Sequence, residues 1–398
     1  MDALTTPLPK DWEIKTFRDI STINQGLQIP ISQRLKAPTE HAKFYITIQA
    51  LNNRKEFEYI KTYNESVVCH KDDILMTRTG NTGMVITNIE GVFHNNFFKV
   101  NFDRTLINKD FLVYFLSLEQ TQKTILRKAG TSTIPDLNHN DFYSLSIPLP
   151  PLNEQIAIAN VLSDVDRYLY TLDALILKKE SVKKALSFEL LSQRKRLKGF
   201  NQNWQRVRLG TYKYRRGSFP QPYGNPQWYS DNGMPFVQVY DVGEKFKLTQ
   251  KTKQKISKIA QPMSVFVPKN SVIITLQGTI GRVALTQYDC YCDRTILIFD
   301  NNTLNDVNKY FFVLSLFTKF EEEKRKADGS IIKTITKQTL KDFEIPLPPL
   351  NEQAAIANIL SALDSEIISL KNKKRQFENI KKALNHDLMS AKIRVLKK

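Results

Sequence analysis

Two stretches of the chain carry apolar residues at alternating spacings of three and four positions, the pattern of one face of a long helix. In residues 152–197 these positions are Ile158, Val161, Val165, Tyr168, Leu172, Leu175, Val182 and Leu186. In residues 349–398 they are Ile356, Ile359, Leu363, Ile367, Leu370, Phe377, Ile380 and Leu384. Each stretch predicts a helix with an apolar seam, and the two seams can cover each other in an antiparallel intramolecular pair.

Both predicted helices begin in nearly the same sequence. Residues 147–160 read IPLPPLNEQIAIAN and residues 345–358 read IPLPPLNEQAAIAN, with a single difference, Ile156 against Ala354, at an offset of 198. The paired prolines bar helix before them, and Asn153 and Asn351 can cap the helices that follow. We call residues 147–155 the first elbow and residues 345–353 the second elbow.

The repeat extends backwards into the segments before the helices. At the same offset, TRTGNTG at 77–83 falls on TLQGTIG at 275–281. The chain therefore divides into a first body (1–150), a first tail helix (151–198), a second body (199–348) and a second tail helix (349–398).

The bodies show a different pattern from the tails. Short β-rich runs occur at Val67-Val68, Ile74–Thr77, Met84–Thr87, Phe97–Val100, Phe236–Tyr240, Val272–Leu276, Val283–Thr286 and Thr295–Phe299. Helical runs lie near Phe111–Leu126 and Tyr310–Lys326. Each body is expected to be a compact α+β domain, and the fold class is α+β, with two such domains in a pseudo-two-fold arrangement joined by two long antiparallel coiled-coil helices.

The charge narrows the class of partner. The chain has 58 Lys and Arg against 40 Asp and Glu, a formal net charge of +18, with 41% hydrophobic residues, so it is a folded basic protein rather than a disordered tail. Such a charge attracts polyanions, and double-stranded DNA is the expected one. No apolar run reaches the roughly 18 residues of a membrane-spanning helix, so no membrane partner and a cytoplasmic location are expected.

The chemistry of a DNA-modifying enzyme is not apparent. The sequence has no GxxxxGK[ST] phosphate loop and no Gly-rich loop suited to S-adenosylmethionine. The segment Asn225–Trp228 approximates a methyltransferase Asn-Pro-Pro-aromatic motif, but its third position is Gln, and we interpret it as a turn. The histidines are scattered, and Cys69, Cys290 and Cys292 fit no zinc spacing. We therefore predict a non-catalytic chain that holds no metal and no cofactor of its own.

The duplicated Gly-rich turns are the candidate DNA contacts. Two glycines three apart after a β-rich run let backbone approach a phosphate or a base edge. The predicted DNA-binding residues are Lys71, Thr77, Arg78, Thr79, Gly80, Asn81, Thr82, Gly83, Lys269, Thr275, Gln277, Gly278, Thr279 and Gly281. Arg78 could read guanine and Asn81 adenine. Because Leu276 replaces Arg78 in the second turn, the two bodies should read different sequences. A tight hairpin without a ligand remains the alternative for both turns.

The order of body, PLPPLNEQxxIA helix, body and PLPPLNEQxxIA helix, with a Gly turn in each body, closely resembles the specificity (S) subunit of type I restriction-modification systems, the HsdS family. The resemblance covers essentially the whole chain. It implies that each body is a target-recognition domain that reads one half of a split, asymmetric DNA site, and that the helices set the unread gap.

The resemblance also implies partners. Two modification subunits would bring S-adenosylmethionine and methylate adenine, and restriction subunits would bring ATP- and Mg-dependent translocation and cleavage. The expected partner-binding residues lie in the elbows and are Leu149, Leu152, Glu154, Gln155, Leu347, Leu350, Glu352 and Gln353.

Three other readings stay open. The chain could be a non-catalytic coiled-coil scaffold that binds protein partners. It could serve a modification-only or type II-like assembly. It could itself be a DNA methyltransferase that uses Asn225–Trp228, which tight binding of S-adenosylmethionine would indicate.

Overall fold

The fold comes from a computed structural model that describes residues 8–52, 57–130, 133–243, 245–277, 281–326 and 337–396. These residues form two compact units. The first unit comprises the described residues up to Ala174 together with those from Lys371 onwards, and the second comprises Leu175–Leu370. Each unit therefore contains one body and a part of each tail helix.

The first body is built from short strands and helices. Its strands are β1 (Glu13–Thr16), β2 (Ser21–Gln25), β3 (Lys43–Ile46), β4 (Tyr59–Ile60), β5 (Val68–Cys69), β6 (Ile74–Thr77), β7 (Val85–Ile86), β8 (Gly91–Phe93), β9 (Phe97–Phe102) and β10 (Ser146–Leu149). Its helices are α1 (Phe17–Ile20), α2 (Ile48–Asn52), α3 (Lys109–Leu116), α4 (Glu119–Ala129) and α5 (His139–Tyr143), and the first tail helix is α6 (Leu152–Leu191).

The second body repeats this plan. Its strands are β11 (Gln205–Arg208), β12 (Tyr214–Arg216), β13 (Tyr229–Val237), β14 (Gln254–Ile256), β15 (Val265–Val267), β16 (Val272–Thr275), β17 (Val283–Leu285), β18 (Cys290–Cys292), β19 (Ile296–Phe299) and β20 (Glu344–Leu347). Its helices are α7 (Lys309–Lys326) and α8 (Lys337–Asp342), and the second tail helix is α9 (Leu350–Met389). Single 3-10 turns lie at Ile31–Gln33, Glu65–Val67, Leu209–Thr211, Pro226–Trp228, Val239–Asp241, Gln261–Met263 and Asn301–Thr303.

The sheets of the two bodies have the same strand order. In the first body the orders are β2-β9-β6-β7, β4-β3-β8-β5 and β1-β10, and in the second they are β12-β19-β16-β17, β14-β13-β18-β15 and β11-β20. Pairing is antiparallel except between β3 and β8 and between β13 and β18, which are parallel. Mixed sheets with helices packed on them confirm the α+β prediction and show that the duplication extends through both bodies.

Each body buries its apolar strand faces against its own helices and a tail-helix start. In the first body, Phe98, Phe111 and Phe142 are fully buried together with Ile158 of α6. The second body likewise buries Phe299, Phe311 and Phe312 together with Ile356 of α9.

The end of each tail helix contributes to the core of the unit in which it lies. Leu388 and Met389 of α9 belong to the first core, whereas Leu190 and Leu191 of α6 belong to the second. The tails are thus part of the folded units rather than appendages.

Within the first unit the tail helices run antiparallel. Lys381 pairs with Asp166 and Lys374 with Asp173, so residue numbers rise along one helix as they fall along the other. The Tyr168 ring also lies on Phe377, with centroids 4.6 Å apart.

In the second unit the pairing is equivalent, with Lys183 on Asp364 and Lys179 on Glu366. The predicted seam is wrong at four positions: Leu175 and Ile359 are each 36% exposed, and Val182 and Ile380 are 45% and 50% exposed. At 3.6 residues per turn, a three-four pattern drifts around a helix, so some of its positions turn away from the partner helix.

The predicted helical run near Phe111–Leu126 is interrupted, whereas the run near Tyr310–Lys326 is a single helix. Ser117 and Leu118 separate α3 from α4. The Gln122 side chain donates to the carbonyl oxygens of Leu116 (2.6 Å) and Gly83 (2.8 Å), so it satisfies a helix-end acceptor. No helix within the described ranges is long and apolar enough to cross a membrane.

Candidate nucleic-acid interface

The elbows fix each tail helix to its body through a buried glutamine. The Gln155 amide nitrogen donates to the carbonyl oxygens of Leu106 (3.0 Å) and Pro150 (2.8 Å), and its oxygen accepts from the Asn108 backbone N–H (2.9 Å). Gln155 is 1% exposed. All three hydrogen-bonding groups that face the body are therefore used.

Gln353 makes the same three contacts in the second unit. Its amide nitrogen donates to the backbone carbonyl oxygens of Asp306 (3.0 Å) and Pro348 (2.8 Å), and its side-chain oxygen accepts from the Asn308 backbone N–H (2.8 Å). The glutamine thus ties the start of each tail helix to the residue that precedes a body helix, Asn108 before α3 and Asn308 before α7.

The neighbouring glutamates hold an arginine and a tryptophan. Glu352, which is fully buried, accepts from the Arg196 guanidinium (2.6 Å to Nη2) and from Trp204 Nε1 (3.0 Å). In the first unit, Glu154 accepts from Arg394 and from Trp12 Nε1.

Arg394 has a second carboxylate partner, because its Nη2 also donates to Asp11 at 3.0 Å. These two acidic groups raise the pKa of Arg394 above its already high usual value, chiefly through the hydrogen bond with Glu154. The guanidinium therefore remains a permanent cation in this network.

The predicted partner contacts need correction at these positions. Glu154, Gln155, Glu352 and Gln353 are buried and bonded within their own units, so their side chains cannot reach a partner. Leu347 is also buried. Leu149 and Leu152 are partly exposed and Leu350 is 50% exposed, so these three keep surface at the elbows. The NEQ triplet is repeated because it makes structural contacts within each unit. Glu154, for example, contacts Arg394, which is 240 residues away, and such a contact cannot be read from the local sequence.

The two Gly turns have the same backbone scaffold. Thr77 N–H donates to Met84 O (3.0 Å), Gly83 N–H donates to Thr77 O (2.9 Å), and the Thr77 hydroxyl oxygen accepts from the Met84 N–H (2.8 Å). In the second turn, Thr275 and Arg282 make the corresponding bonds, and Gly281 N–H donates to Thr275 O at 3.0 Å. Both threonines are fully buried, so they close the turns instead of facing a ligand.

The last glycine of each turn is required by packing. Gly83 and Gly281 have φ angles of +88° and +76°, which disfavour other residues. A β carbon on Gly83 would lie 2.8 Å from Gln122 Oε1, and one on Gly281 would lie 3.0 Å from the Phe320 ring. These glycines let the turn lie against a helix, and the prediction that they contact DNA is wrong because both are buried.

The remaining turn residues differ in exposure. Thr82 is buried, and its hydroxyl donates to Pro135 O at 2.7 Å, so it is also structural. Gly80, Asn81 and Gln277 are exposed, and Thr79 is partly exposed. Gly278 and Thr279 lie outside the described residues.

Arg78 lies on the surface of the first turn in a bidentate ion pair. Its Nε and Nη2 donate to the two carboxylate oxygens of Asp136, at 3.0 and 2.6 Å. The Arg78 side chain is 21% exposed. Leu276, at the equivalent position, is 1% exposed and belongs to the core of the second body. The Arg-to-Leu difference therefore exchanges a surface ion pair for a core contact, and only the first turn presents a guanidinium.

The two predicted phosphate-binding lysines are exposed. The Lys71 carbonyl oxygen accepts from Lys109 Nζ at 3.3 Å, and the Lys269 backbone N–H donates to Asp289 at 2.7 Å. Lys71 lies in the first body shortly before β6, and Lys269 lies in the second body shortly before β16.

Each Gly turn is supported by a second turn that sequence reasoning missed. Arg78 N–H donates to Asn96 O (2.8 Å), and the Asn96 N–H in turn donates to His94 Nδ1 (3.1 Å). Burial lowers the pKa of His94, and the positive charge of Arg34 adds to this effect. The His94 ring is thereby kept neutral, as an Nδ1 acceptor requires.

In the second body, an aspartate takes the place of the histidine. Leu276 N–H donates to Thr295 O (2.9 Å), and the Thr295 N–H donates to Asp293 Oδ1 (2.9 Å). The same backbone support is therefore held by a histidine in the first body and by an aspartate in the second.

Asn225–Trp228 forms a capped turn, as expected. The Asn225 side chain accepts from the Gln227 N–H (3.0 Å), and Trp228 Nε1 donates to Pro222 O (3.2 Å). The three cysteines are buried and unpaired, and burial raises the pKa of Cys69 to about 12.

Comparison with known proteins gives one consistent result. The family model of the type I restriction modification DNA specificity domain matches residues 9–184 and 222–379. The chain is 27% identical to the putative type I restriction enzyme MjaX specificity subunit of Methanocaldococcus jannaschii, over 98% of this chain and 95% of that protein. It is 25% identical to the MjaVIII specificity subunit of the same organism, over 98% and 94%.

Solved structures resemble the fold. The S subunit of a type I restriction-modification system from M. genitalium aligns with a TM-score of 0.60 at 17% identity, over 96% of this chain and 98% of that one. The HsdS subunit from Thermoanaerobacter tengcongensis aligns with a TM-score of 0.52 at 18% identity, over 98% and 99%. The whole two-body plan is therefore shared with these structures.

Proposed function

We propose a function from the premise that the chain belongs to the type I restriction modification DNA specificity domain family, whose model matches both of its repeats. It is the DNA-specificity subunit of a type I restriction-modification system. Each body reads one half of a split, asymmetric DNA site, and α6 and α9 set the length of the unread gap.

One observation carries this proposal. The two bodies share the same sheet order and the same turn scaffold, yet the surface side chains of the equivalent turns differ, with the partly exposed Arg78 and the exposed Asn81 in the first and the exposed Gln277 in the second. A duplicated scaffold with different exposed groups suits the recognition of two different base sequences at two places on one duplex.

The chemistry is assigned to partners. Two modification subunits would bind this chain, supply S-adenosylmethionine and methylate adenine, and restriction subunits would supply ATP- and Mg-dependent cleavage in the cytoplasm. A solved relative with a TM-score of 0.61 at 17% identity is described in terms of complex assembly of the type I system. Of the predicted docking residues in the elbows, Leu149, Leu152 and the half-exposed Leu350 keep surface for such docking.

Methylation mapping tests the proposal. Genomic DNA would be sequenced for modified adenine in a host that expresses this chain with its neighbouring modification subunit, and in a host that lacks only this chain. A split motif that is methylated only when the chain is present supports the proposal and gives both half-sites. Unchanged methylation with both proteins expressed would contradict it and favour a protein-binding scaffold.

A further inference from the structure

The two bodies differ sharply in charge although they share one fold. Residues 1–150 contain 17 Lys and Arg against 16 Asp and Glu, a net charge of +1. Residues 199–348 contain 22 against 13, a net charge of +9. Half of the excess positive charge of the whole chain therefore lies in the second body. Two domains that contribute equally to DNA binding would not need such an unequal distribution of charge.

Much of that excess lies in one segment. Residues 245–258 contain six lysines and no Asp or Glu. We call these residues the lysine strip: Lys245, Lys247, Lys251, Lys253, Lys255 and Lys258. All six are exposed, and none of them forms an ion pair within the described part of the chain. Exposed ammonium groups that have no ion pair are available to an external anion.

The strip begins beside the second Gly turn. Val242 and Leu248 form an antiparallel β-bridge, Gly243 N–H donates to Lys247 O (2.9 Å), and Lys247 forms a parallel β-bridge with Leu285 of β17. Arg282, the residue after the turn, donates from Nη1 to Val242 O at 3.1 Å. Lys247 therefore lies beside the strand that follows the Gly turn, and its bridged neighbours contact the exit of that turn.

The strip continues along an edge strand, where two of its lysines share one face. β14 is the outer strand of its sheet, and Ile256 is fully buried on the inner face. Because side chains alternate along a strand, Lys253 and Lys255 lie on the face opposite to Ile256. Lys255 Nζ donates to Asp231 O (2.8 Å), and Lys253 Nζ lies 5.0 Å from the Tyr240 ring centroid. Two residues span about 6.7 Å in a strand, so the backbone positions of Lys253 and Lys255 lie about that far apart.

The equivalent edge of the first body has a different character. β4 follows Glu58, whose carboxylate accepts from Arg34 Nη1 and Lys36 Nζ, both at 2.9 Å. The basic groups there are already neutralised by a carboxylate of the same body. The contrast with the strip lies in the pairing of the charges as well as in their number.

We propose that the lysine strip is a phosphate-binding surface and that the second body supplies most of the sequence-independent attraction of this chain for double-stranded DNA. The proposal rests on the proposed function and adds a division of labour to it. Both bodies read bases, and the second body in addition anchors the duplex through its phosphates, whereas the first body carries little net charge. Each lysine that neutralises a phosphate releases counterions, so the strip should appear in the salt dependence of binding.

The test measures binding of a fluorescein-labelled duplex of unrelated sequence to the full-length chain by fluorescence anisotropy over a series of KCl concentrations. The strip variant replaces Lys251, Lys253, Lys255 and Lys258 by Gln. A matched control with the same loss of charge replaces Lys10, Lys36, Lys61 and Lys123 of the first unit by Gln. A second strip variant replaces the same four lysines, Lys251, Lys253, Lys255 and Lys258, by Arg and retains their charge.

In the strip Gln variant, the slope of log K against log salt should decrease in magnitude by about 0.9 for each lost phosphate contact, and affinity should fall about tenfold or more at low salt. The first-unit control should change the slope by less than about 1, and the Arg variant should bind like the original chain.

Equal slope changes in the strip variant and the control would overturn the proposal, because the loss of any four positive charges would then reduce the salt dependence of binding to the same extent. An unchanged slope in the strip variant would also overturn it and would leave the lysines as guards against edge-to-edge association, with the proposed function intact. Failure of the unmodified chain to bind any duplex, alone or with its modification subunit, would instead contradict the proposed function.

Discussion

The two Gly turns show which parts of a duplicated domain are fixed and which are free to change. Their backbone bonds match one for one, from Thr77 to Thr275 and from Gly83 to Gly281. The side chains above this scaffold do not match, because Arg78 forms a surface ion pair where Leu276 is buried in the core. The buried scaffold tolerates little change, since a lost turn bond or a β carbon at the glycine would cost stability. Exposed positions can diverge without unfolding the domain.

The elbows are the opposite extreme. Gln155 and Gln353 make the same three hydrogen bonds, and Glu154 and Glu352 each hold one arginine and one tryptophan. The difference here is a single added carboxylate, Asp11, on the first arginine. Sequence is retained where both bodies need the same helix direction, and it diverges where each body needs its own surface.

The largest expected effect comes from removing the elbow glutamines. Gln155→Leu and Gln353→Leu keep approximate size but leave a backbone N–H and two carbonyl oxygens without their partner, so each should lower the stability of its unit by about 2–4 kcal/mol. Hydrogen–deuterium exchange with mass spectrometry measures this, because peptides from the two bodies report separately. The two losses should agree within about 0.5 kcal/mol.

Gln202→Leu is the control for the glutamine variants. Gln202 is exposed and lies in the connection before β11, so its replacement should change stability by less than about 0.5 kcal/mol. A large loss from one elbow variant and a small loss from the other would show that the elbows are not equivalent.

A smaller effect should separate the two turns. Arg78→Ala should weaken binding to one half-site by about 1–3 kcal/mol and leave the other half-site intact, because a guanidinium that reads guanine contributes on that scale. Competition binding measures this, with duplexes in which one mapped half-site at a time is replaced. Gln277→Ala should affect only the other half-site.

The ion pair with Asp136 provides a discriminating control. Arg78→Lys keeps the charge but loses the fork geometry, so it should lose discrimination between bases while it retains affinity for unrelated duplexes. If Arg78→Ala lowers only the thermal stability of the first body, the guanidinium serves Asp136 alone. If it weakens all duplexes equally, Arg78 is a phosphate contact.

Much of the fold could be predicted from the sequence, because repetition and periodicity are local signals. The paired prolines locate the starts of α6 and α9 within one residue, whereas both helices end earlier than the predicted tails, at Leu191 and Met389. Strand β6 coincides with the predicted run Ile74–Thr77. Strand order required the tertiary structure, since β6 pairs with β7 and β9 and the predicted runs do not state their partners.

The candidate site was predicted less completely, for physical reasons. Exposure of Arg78 depends on Asp136, and burial of Glu154 depends on Arg394, which are 58 and 240 residues away. A glycine that permits close approach is the same in sequence whether a helix or a DNA strand approaches it. Gly83 and Gly281 were therefore assigned to DNA although helices α4 and α7 occupy that space.

The smallest expected effect is a pH dependence confined to the first body. His94 supports the first Gly turn only as a neutral acceptor, and burial lowers its pKa in the folded state, with a further contribution from Arg34. The unfolded chain therefore binds a proton at a higher pH than the folded chain does.

The stabilisation is fully present above the unfolded pKa of about 6.5 and is lost as the pH falls from there through the folded value. Hydrogen exchange at the Arg78 and Asn96 amides, corrected for intrinsic rates, should increase as the pH falls from about 7 to about 5, while Leu276 and Thr295 should change less. His94→Asn retains an acceptor without a titrating ring and should remove the difference, so persistence of the pH effect in that variant would exclude His94 as its source.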